Sequence, residues 1–153
     1  MNFLVLCTGN SARSILLEAL LGADSRITSF SAGSNPAGAV HVQSLRHLAS
    51  LGYDIADFRS KSWDEFANNI QMDAVITVCG NAANEECPVW PGAPIIAHWG
   101  VDDPAAAIES DWGEAFATAY KRLKCRSDAL LALPFEEFSK SELKQHLDEI
   151  STL

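Results

Sequence analysis

The stretch from Asn2 to Cys7 is a short, almost wholly apolar run that Gly9-Asn10 interrupts at once, and helix formers follow directly. A run so short and so uniformly apolar predicts a central strand buried on both faces, because a strand with one wet face alternates. From Ala12 to Ala23, apolar residues at Ile15, Leu16, Ala19, Leu20 and Ala23 repeat at three and four, predicting a helix that closes near Gly22 to Asp24. The chain therefore opens as strand, tight loop and helix, the first half of an alternating α/β unit.

The same order recurs. Arg26 to Ser31 reads as a second strand ending at Gly33, and Val40 to Leu51 returns to helical spacing through Val42, Leu45, Leu48 and Ala49, with Gly52 placed to end it. Asp73 to Cys79 holds the apolar run of a third strand; a stretch rich in Gly, Asn and Pro from Gly80 to Pro94 follows, then a strand candidate at Pro94 to Trp99. Helices are expected over Asp111 to Leu133 and Lys140 to Ile150, with Pro134 between them. Strands alternating with helices imply right-handed crossovers and a parallel sheet covered on both faces. Ligands of such sheets bind beyond the carboxyl ends of the strands, where strand order reverses. That rule places Cys7, Cys79 and the pair Asp102-Asp103 on one edge.

A chain of 153 residues, 48% of them hydrophobic, has the size of one domain, and no internal repeat or linker divides residues 1–153. Its net charge of -9 argues against nucleic acid or an anionic membrane as a partner, so any small anion must be held by a local site. The longest apolar stretches, such as Ile15 to Gly22, are too short to span a membrane, and the N-terminus lacks a secretory pattern; the expectation is a cytoplasmic protein. Four cysteines without a CxxC pair fit neither a disulfide framework nor zinc-ligand spacing, so no metal is expected and reactive thiols become the live alternative.

The segment Cys7-Thr8-Gly9-Asn10-Ser11-Ala12-Arg13-Ser14 joins a buried strand directly to a helix. Backbone N–H groups from Thr8 to Ser14 can curl there around one tetrahedral oxyanion, and the helix N-terminus adds favourable potential. Gly9 is expected to supply backbone angles that most residues avoid, and Arg13 a planar fork of donors matched to oxyanion oxygens. Cys7 then sits beneath the anion, its nucleophilic thiolate favoured by the same groups. Cys7 also has a plain reading, a small buried hydrophobe at a strand end; Gly9, Asn10, Arg13 and Ser14 in this context favour the anion site.

This segment resembles the phosphate loop of the low-molecular-weight protein tyrosine phosphatase family; the resemblance extends to Ser31-Ala32-Gly33 and to Asp103-Pro104, which looks like that family's general-acid pair. It implies a four-stranded parallel sheet flanked by helices. Two further segments are similar to the arsenate reductases that share this fold: Cys79-Gly-Asn-Ala-Ala-Asn-Glu-Glu-Cys87-Pro88, like the redox segment of the thioredoxin-coupled enzymes, and His98-Trp99-Gly100-Val101-Asp102-Asp103-Pro104-Ala105. Phosphatases of the family usually carry an aromatic residue after Asp-Pro, where this chain has Ala105.

The chemistry separates the two activities. Phosphoester hydrolysis needs one nucleophile and one acid, whereas taking arsenate to arsenite needs two electrons, which two thiols supply by becoming a disulfide. The resemblance thus implies Cys7 attack on arsenic, with Arg13 and the loop N–H groups holding the oxygens and Asp103 protonating the departing oxygen. Cys79 then attacks Cys7, releasing arsenite, and Cys87 attacks Cys79, leaving a disulfide for a thioredoxin-like reductant. No bound cofactor is expected, only an external thiol. The alternatives are a phosphatase acting on phosphoesters, with Cys79 and Cys87 as oxidation protection, and a silent anion-binding or redox-sensing module.

Cys125, in the long C-terminal helix, reads as a packed or incidental cysteine; His41, His47 and His146 read as surface or cap residues, and Trp90 and Trp112 as local anchors or rim residues. Two departures from relatives stand out. Ala12 occupies a position where some thioredoxin-coupled proteins carry another cysteine, and Lys61 falls about where certain relatives place an acidic residue that helps bind potassium. The Lys61 ammonium can stand in for that cation against Asn10, Glu18 or Ser31.

Overall fold

A computed structural model describes residues 1–80 and 90–153. Its sheet holds β1 (Asn2–Cys7), β2 (Thr28–Gly33), β3 (Ala74–Thr77) and β4 (Ile95–His98) in the order β2-β1-β3-β4, all parallel. The chain passes from β1 to one neighbour, then crosses to the other side for β3, so strand order reverses between β1 and β3. Cys7 pairs with Gly33 and Leu6 with Thr77, which sets the thiol at this reversal.

Helix α1 (Arg13–Gly22) is buried nearly all round, Leu17 and Leu21 adding to the expected apolar positions, because it lies between the sheet and helix α3 (Trp112–Leu131). Helix α2 (Val42–Ser50) ends as expected: Gly52 has φ of +88° and its N–H donates to Ala49 O. Helix α4 (Lys140–Ile150) opens on a reciprocal capping box between Ser139 and Glu142, and Trp99 Nε1 donates to Leu147 O to fix it against the end of β4.

The helices share one core with the side chains of Phe3, Val5 and Cys7. Leu4 and Leu6 point the other way, into a second core with Phe66, Met72, Val75 and Trp90. Among the described residues, that second face is covered by the 63–72 segment and Trp90.

Strand β2 begins at Thr28, later than the expected Arg26, and runs to Gly33. Arg26 is drawn off by other work: it forks onto Asp24, donates to the carbonyls of Leu131 at the end of α3 and of Leu133 just beyond it, and lies over the Phe135 ring. The guanidinium pulls the Asp24 carboxyl down to about 2.

Candidate active site

The loop from Cys7 to Ser14 is shaped by what holds its carbonyls. Thr8 O accepts from Asn35 N, Gly9 O from Ala37 N and Ser60 Oγ, and Ser11 O from His41 N and Ser44 Oγ, each at 2.9–3.1 Å. These donors all lie outside the loop. In a trans peptide the next N–H points opposite to the carbonyl, so the N–H groups of Gly9, Asn10 and Ala12 turn inward. Asn10 N accordingly donates to Cys7 Sγ at 3.2 Å. The first turn of α1 points the same way. Unlike α2 and α4, it has no side-chain cap, since Ala12 occupies the cap position, and unlike α4 it has no acidic residue in its first turn; its leading N–H groups remain available to an anion.

Behind the sulfur lies a buried polar network. Ser14 Oγ is 3.0 Å from Cys7 Sγ; Asn10 Nδ2 donates to Ser14 Oγ and Ser31 Oγ, while Asn10 Oδ1 accepts from Lys61 N at 2.7 Å. The left-handed residue of the loop is Asn10, with φ of +44°, and this corrects the expectation for Gly9, whose φ is not positive. Asn is the residue type that adopts this conformation at low cost, and its amide is fully used here. Lys61 itself is buried: its Nζ lies 3.4 Å from Ser31 Oγ, 3.6 Å from Glu18 Oε2 and 2.8 Å from Arg59 O. Burial lowers its pKa, against the opposing pull of Glu18. Its contact with Asn10 is made by the main chain rather than the ammonium.

In front of the sulfur is a cavity of about 360 Å³. Its walls include Cys7, Arg13, Asp103 and Cys79, together with Thr8, Gly9, Ser11 and Ala12 of the loop. Arg13 is aimed by Val101 O, 3.1 Å from Nη1, and by Asp103 Oδ2, 3.1 Å from Nη2; its buried Nε makes no hydrogen bond among the described residues. Asp103 caps a one-turn 3-10 helix over Pro104–Ala106, accepting from Ala105 N at 3.1 Å. Cys79 is as buried as Cys7, and its Sγ lies 3.6 Å from Thr8 Oγ1.

A family model described as low molecular weight phosphotyrosine protein phosphatase matches residues 2–146. The chain belongs to that family. Within this phosphatase family, the chain is 34% identical over 128 residues to arsenate reductase 2 of Staphylococcus haemolyticus, covering 79% of this chain and 94% of that protein. Among solved structures, an arsenate reductase from Archaeoglobus fulgidus superposes with a TM-score of 0.63 at 29% identity, covering 82% of this chain and 98% of that one. A thioredoxin-dependent arsenate reductase from Corynebacterium glutamicum superposes with a TM-score of 0.57 at 27% identity, covering 80% of this chain and 58% of that one.

For this member of the phosphatase family, the structure brings Cys7, Arg13, Asp103 and Cys79 to one cavity, whereas Cys87 lies outside the described residues. Asn10 and Ser14 stand behind the thiol, fully buried, rather than on the cavity wall. Asp102, exposed, borders a neighbouring cleft and not the main cavity. Cys125 is exposed on α3. Trp90 belongs to the second core, and Trp112 donates its indole N–H to Ala107 O; neither lines the cavity. Sequence reasoning gave no role to Ser44 and assigned none to His41, both of which hold Ser11 O, because such roles depend on which elements meet in three dimensions. Among the described residues, no group of His, Cys, Asp and Glu is arranged to hold a metal ion, and no helix is long and apolar enough to cross a membrane.

Proposed function

We propose that the protein reduces arsenate to arsenite with electrons from its own thiols. The observation that carries this reading is the second buried thiol, Cys79, on the wall of the cavity that holds Cys7. Hydrolysis of a phosphoester consumes no electrons and needs no second thiol at the reacting centre, whereas reduction of arsenate does. The Cys7 thiolate attacks arsenic, forming an S–As bond; Arg13 and the loop N–H groups bind the remaining oxygens, and Asp103 gives a proton to the departing oxygen, which leaves as water. Cys79 then attacks Cys7 Sγ. The S–As bond breaks with its electron pair on arsenic, giving arsenite and a Cys7–Cys79 disulfide, so two thiols are oxidised as arsenic takes two electrons.

In the last step Cys87 attacks Cys79, freeing Cys7 and leaving a Cys79–Cys87 disulfide for an external dithiol. A thioredoxin-like protein is the reductant that the relatives support. Arsenate and that reductant are the partners, and the setting is the cytoplasm, where such reductants keep thiols reduced. The loop N–H groups from Thr8 to Ser14 are the oxyanion-binding set, with Arg13 as the charged member.

The test is arsenate-dependent oxidation of NADPH with thioredoxin and thioredoxin reductase, repeated with glutathione and glutaredoxin. Turnover in the first mixture supports the full relay, and turnover only in the second keeps the reductase but removes Cys87 from the route. Hydrolysis of a small phosphoester without arsenate reduction overturns the proposal in favour of a phosphatase.

A further inference from the structure

The geometry points to His41 as a positioning residue that locks the acid-bearing turn to the anion loop. Three connections meet at this residue. Its backbone N–H donates to Ser11 O of the anion loop at 2.9 Å. Its Nδ1 accepts from Gln43 N at 3.1 Å, capping α2 and fixing that helix end, from which Ser44 Oγ also reaches Ser11 O. Its ring stands edge-on to Trp112 with centroids 4.5 Å apart, and leans on the fully buried Phe116 at 4.9 Å.

Trp112 carries the connection onward. Its indole N–H donates to Ala107 O at 2.9 Å, and Ala107 closes the single turn that Asp103 opens. That turn is otherwise held by few local bonds, including Ala105 N to Asp103 Oδ1 and Ala106 N to Asp103 O. The cap of His41 therefore serves the anion loop, and its ring serves the acid. A proton donor must meet the departing oxygen within hydrogen-bond reach, so freedom in this turn lowers the rate without weakening the grip on the oxyanion.

The inference rests on the arsenate-reductase reading for its kinetic arm only. Two variants split the residue: His41→Asn keeps a capping oxygen and removes the ring, and His41→Phe keeps a ring and removes the cap. We expect His41→Asn to lose about tenfold in kcat, within the roughly 10²-fold typical of losing a general acid, with KM for arsenate changed less than twofold. His41→Phe should retain more than half of kcat and melt at a lower temperature. In an Asp103→Asn background, His41→Asn should cost nothing further, because the two act as one unit.

Hydrogen exchange gives the arm that needs no turnover: in His41→Asn the amides of Ala105, Ala106 and Ala107 should exchange faster while those of the anion loop hold. Equal kcat losses in both His41 variants, a full additional loss in the Asp103→Asn background, or unchanged exchange at residues 105–107 would overturn the inference. A wild-type protein inert toward arsenate would end the functional reading and leave the exchange result to decide this one.

Discussion

Asp103 Oδ2 lies 3.1 Å from Arg13 Nη2, so the side chain proposed as the proton donor also occupies one prong of the guanidinium that lines the cavity. An arriving oxyanion has to take that prong over. In the proposed reaction the same side chain is thus both the proton donor and a competitor of the oxyanion for Arg13.

Asp103→Asn separates the two roles. Turnover should fall by roughly 10²-fold or more, as general-acid removal typically does. Removing one negative charge a few ångströms from a bound anion is worth about 1 kcal/mol at solvent-like screening, so inorganic phosphate should bind the reduced protein about fivefold more tightly. Calorimetry with phosphate checks this, and weaker binding would show that Asp103 aligns Arg13 more than it opposes the anion.

Gly33 presses on the anion loop from β2: a Cβ there would stand 2.3 Å from Thr8 O and 3.0 Å from Cys7 O, both backbone atoms. Gly33→Ala should destabilise the fold by about 1–3 kcal/mol, as overpacking does, and abolish oxyanion binding by pushing the loop outward. Gly9→Ala meets only ordinary contacts beyond 3.5 Å and should unfold at nearly the wild-type denaturant concentration. Chemical denaturation of the pair tests which glycine the loop geometry needs.

That contrast shows what a sequence conveys. The alternation of elements, the buried β1 and the edge carrying Cys7, Cys79 and Asp103 follow from local pattern and were legible. Gly9 looks like the permissive residue because composition marks glycine, whereas the left-handed conformation falls on Asn10, whose amide bonds to Ser14 nearby and to two partners distant in the chain, Ser31 and Lys61. Arg26 reads as strand until Asp24 and the carbonyls at the C-terminal end of α3 claim it. The carbonyl restraints from Asn35, Ala37, His41, Ser44 and Ser60 leave no periodic signature at all.

Lys61 fills a buried polar pocket between Glu18, Ser31 and the Arg59 carbonyl. Exchanging sodium for potassium at constant ionic strength should leave activity and melting temperature unchanged, and Lys61→Asp should make both sensitive to potassium. Lys61→Met, which strands Glu18, should cost on the order of 3 kcal/mol. A strong potassium effect on the wild-type protein would sink the idea that an ammonium stands in for the ion.

Cys87→Ser should bind arsenate, form the Cys7 adduct and release one arsenite per protein, then stop with Cys7 and Cys79 linked; mass spectrometry of proteolytic fragments should find that bond. Cys79→Ser should release almost none without an added thiol. Many thioredoxin-driven turnovers by Cys87→Ser would leave a two-cysteine scheme or a glutathione-like cosubstrate in place of the relay.

Strands β1 and β3 are hydrogen-bonded neighbours, roughly 4.8 Å apart as in any sheet, and this fixes what separates two kinds of catalyst on one scaffold. Cys79, the second residue past β3, lines the cavity that holds Cys7, so gaining or losing a second thiol there is a change of one side chain that leaves the loop from Cys7 to Ser14 intact. A single-thiol hydrolase with this strand order already has the socket for a second sulfur, and an engineer who wished to add redox chemistry would start there, at the equivalent of Cys79, before touching the anion loop.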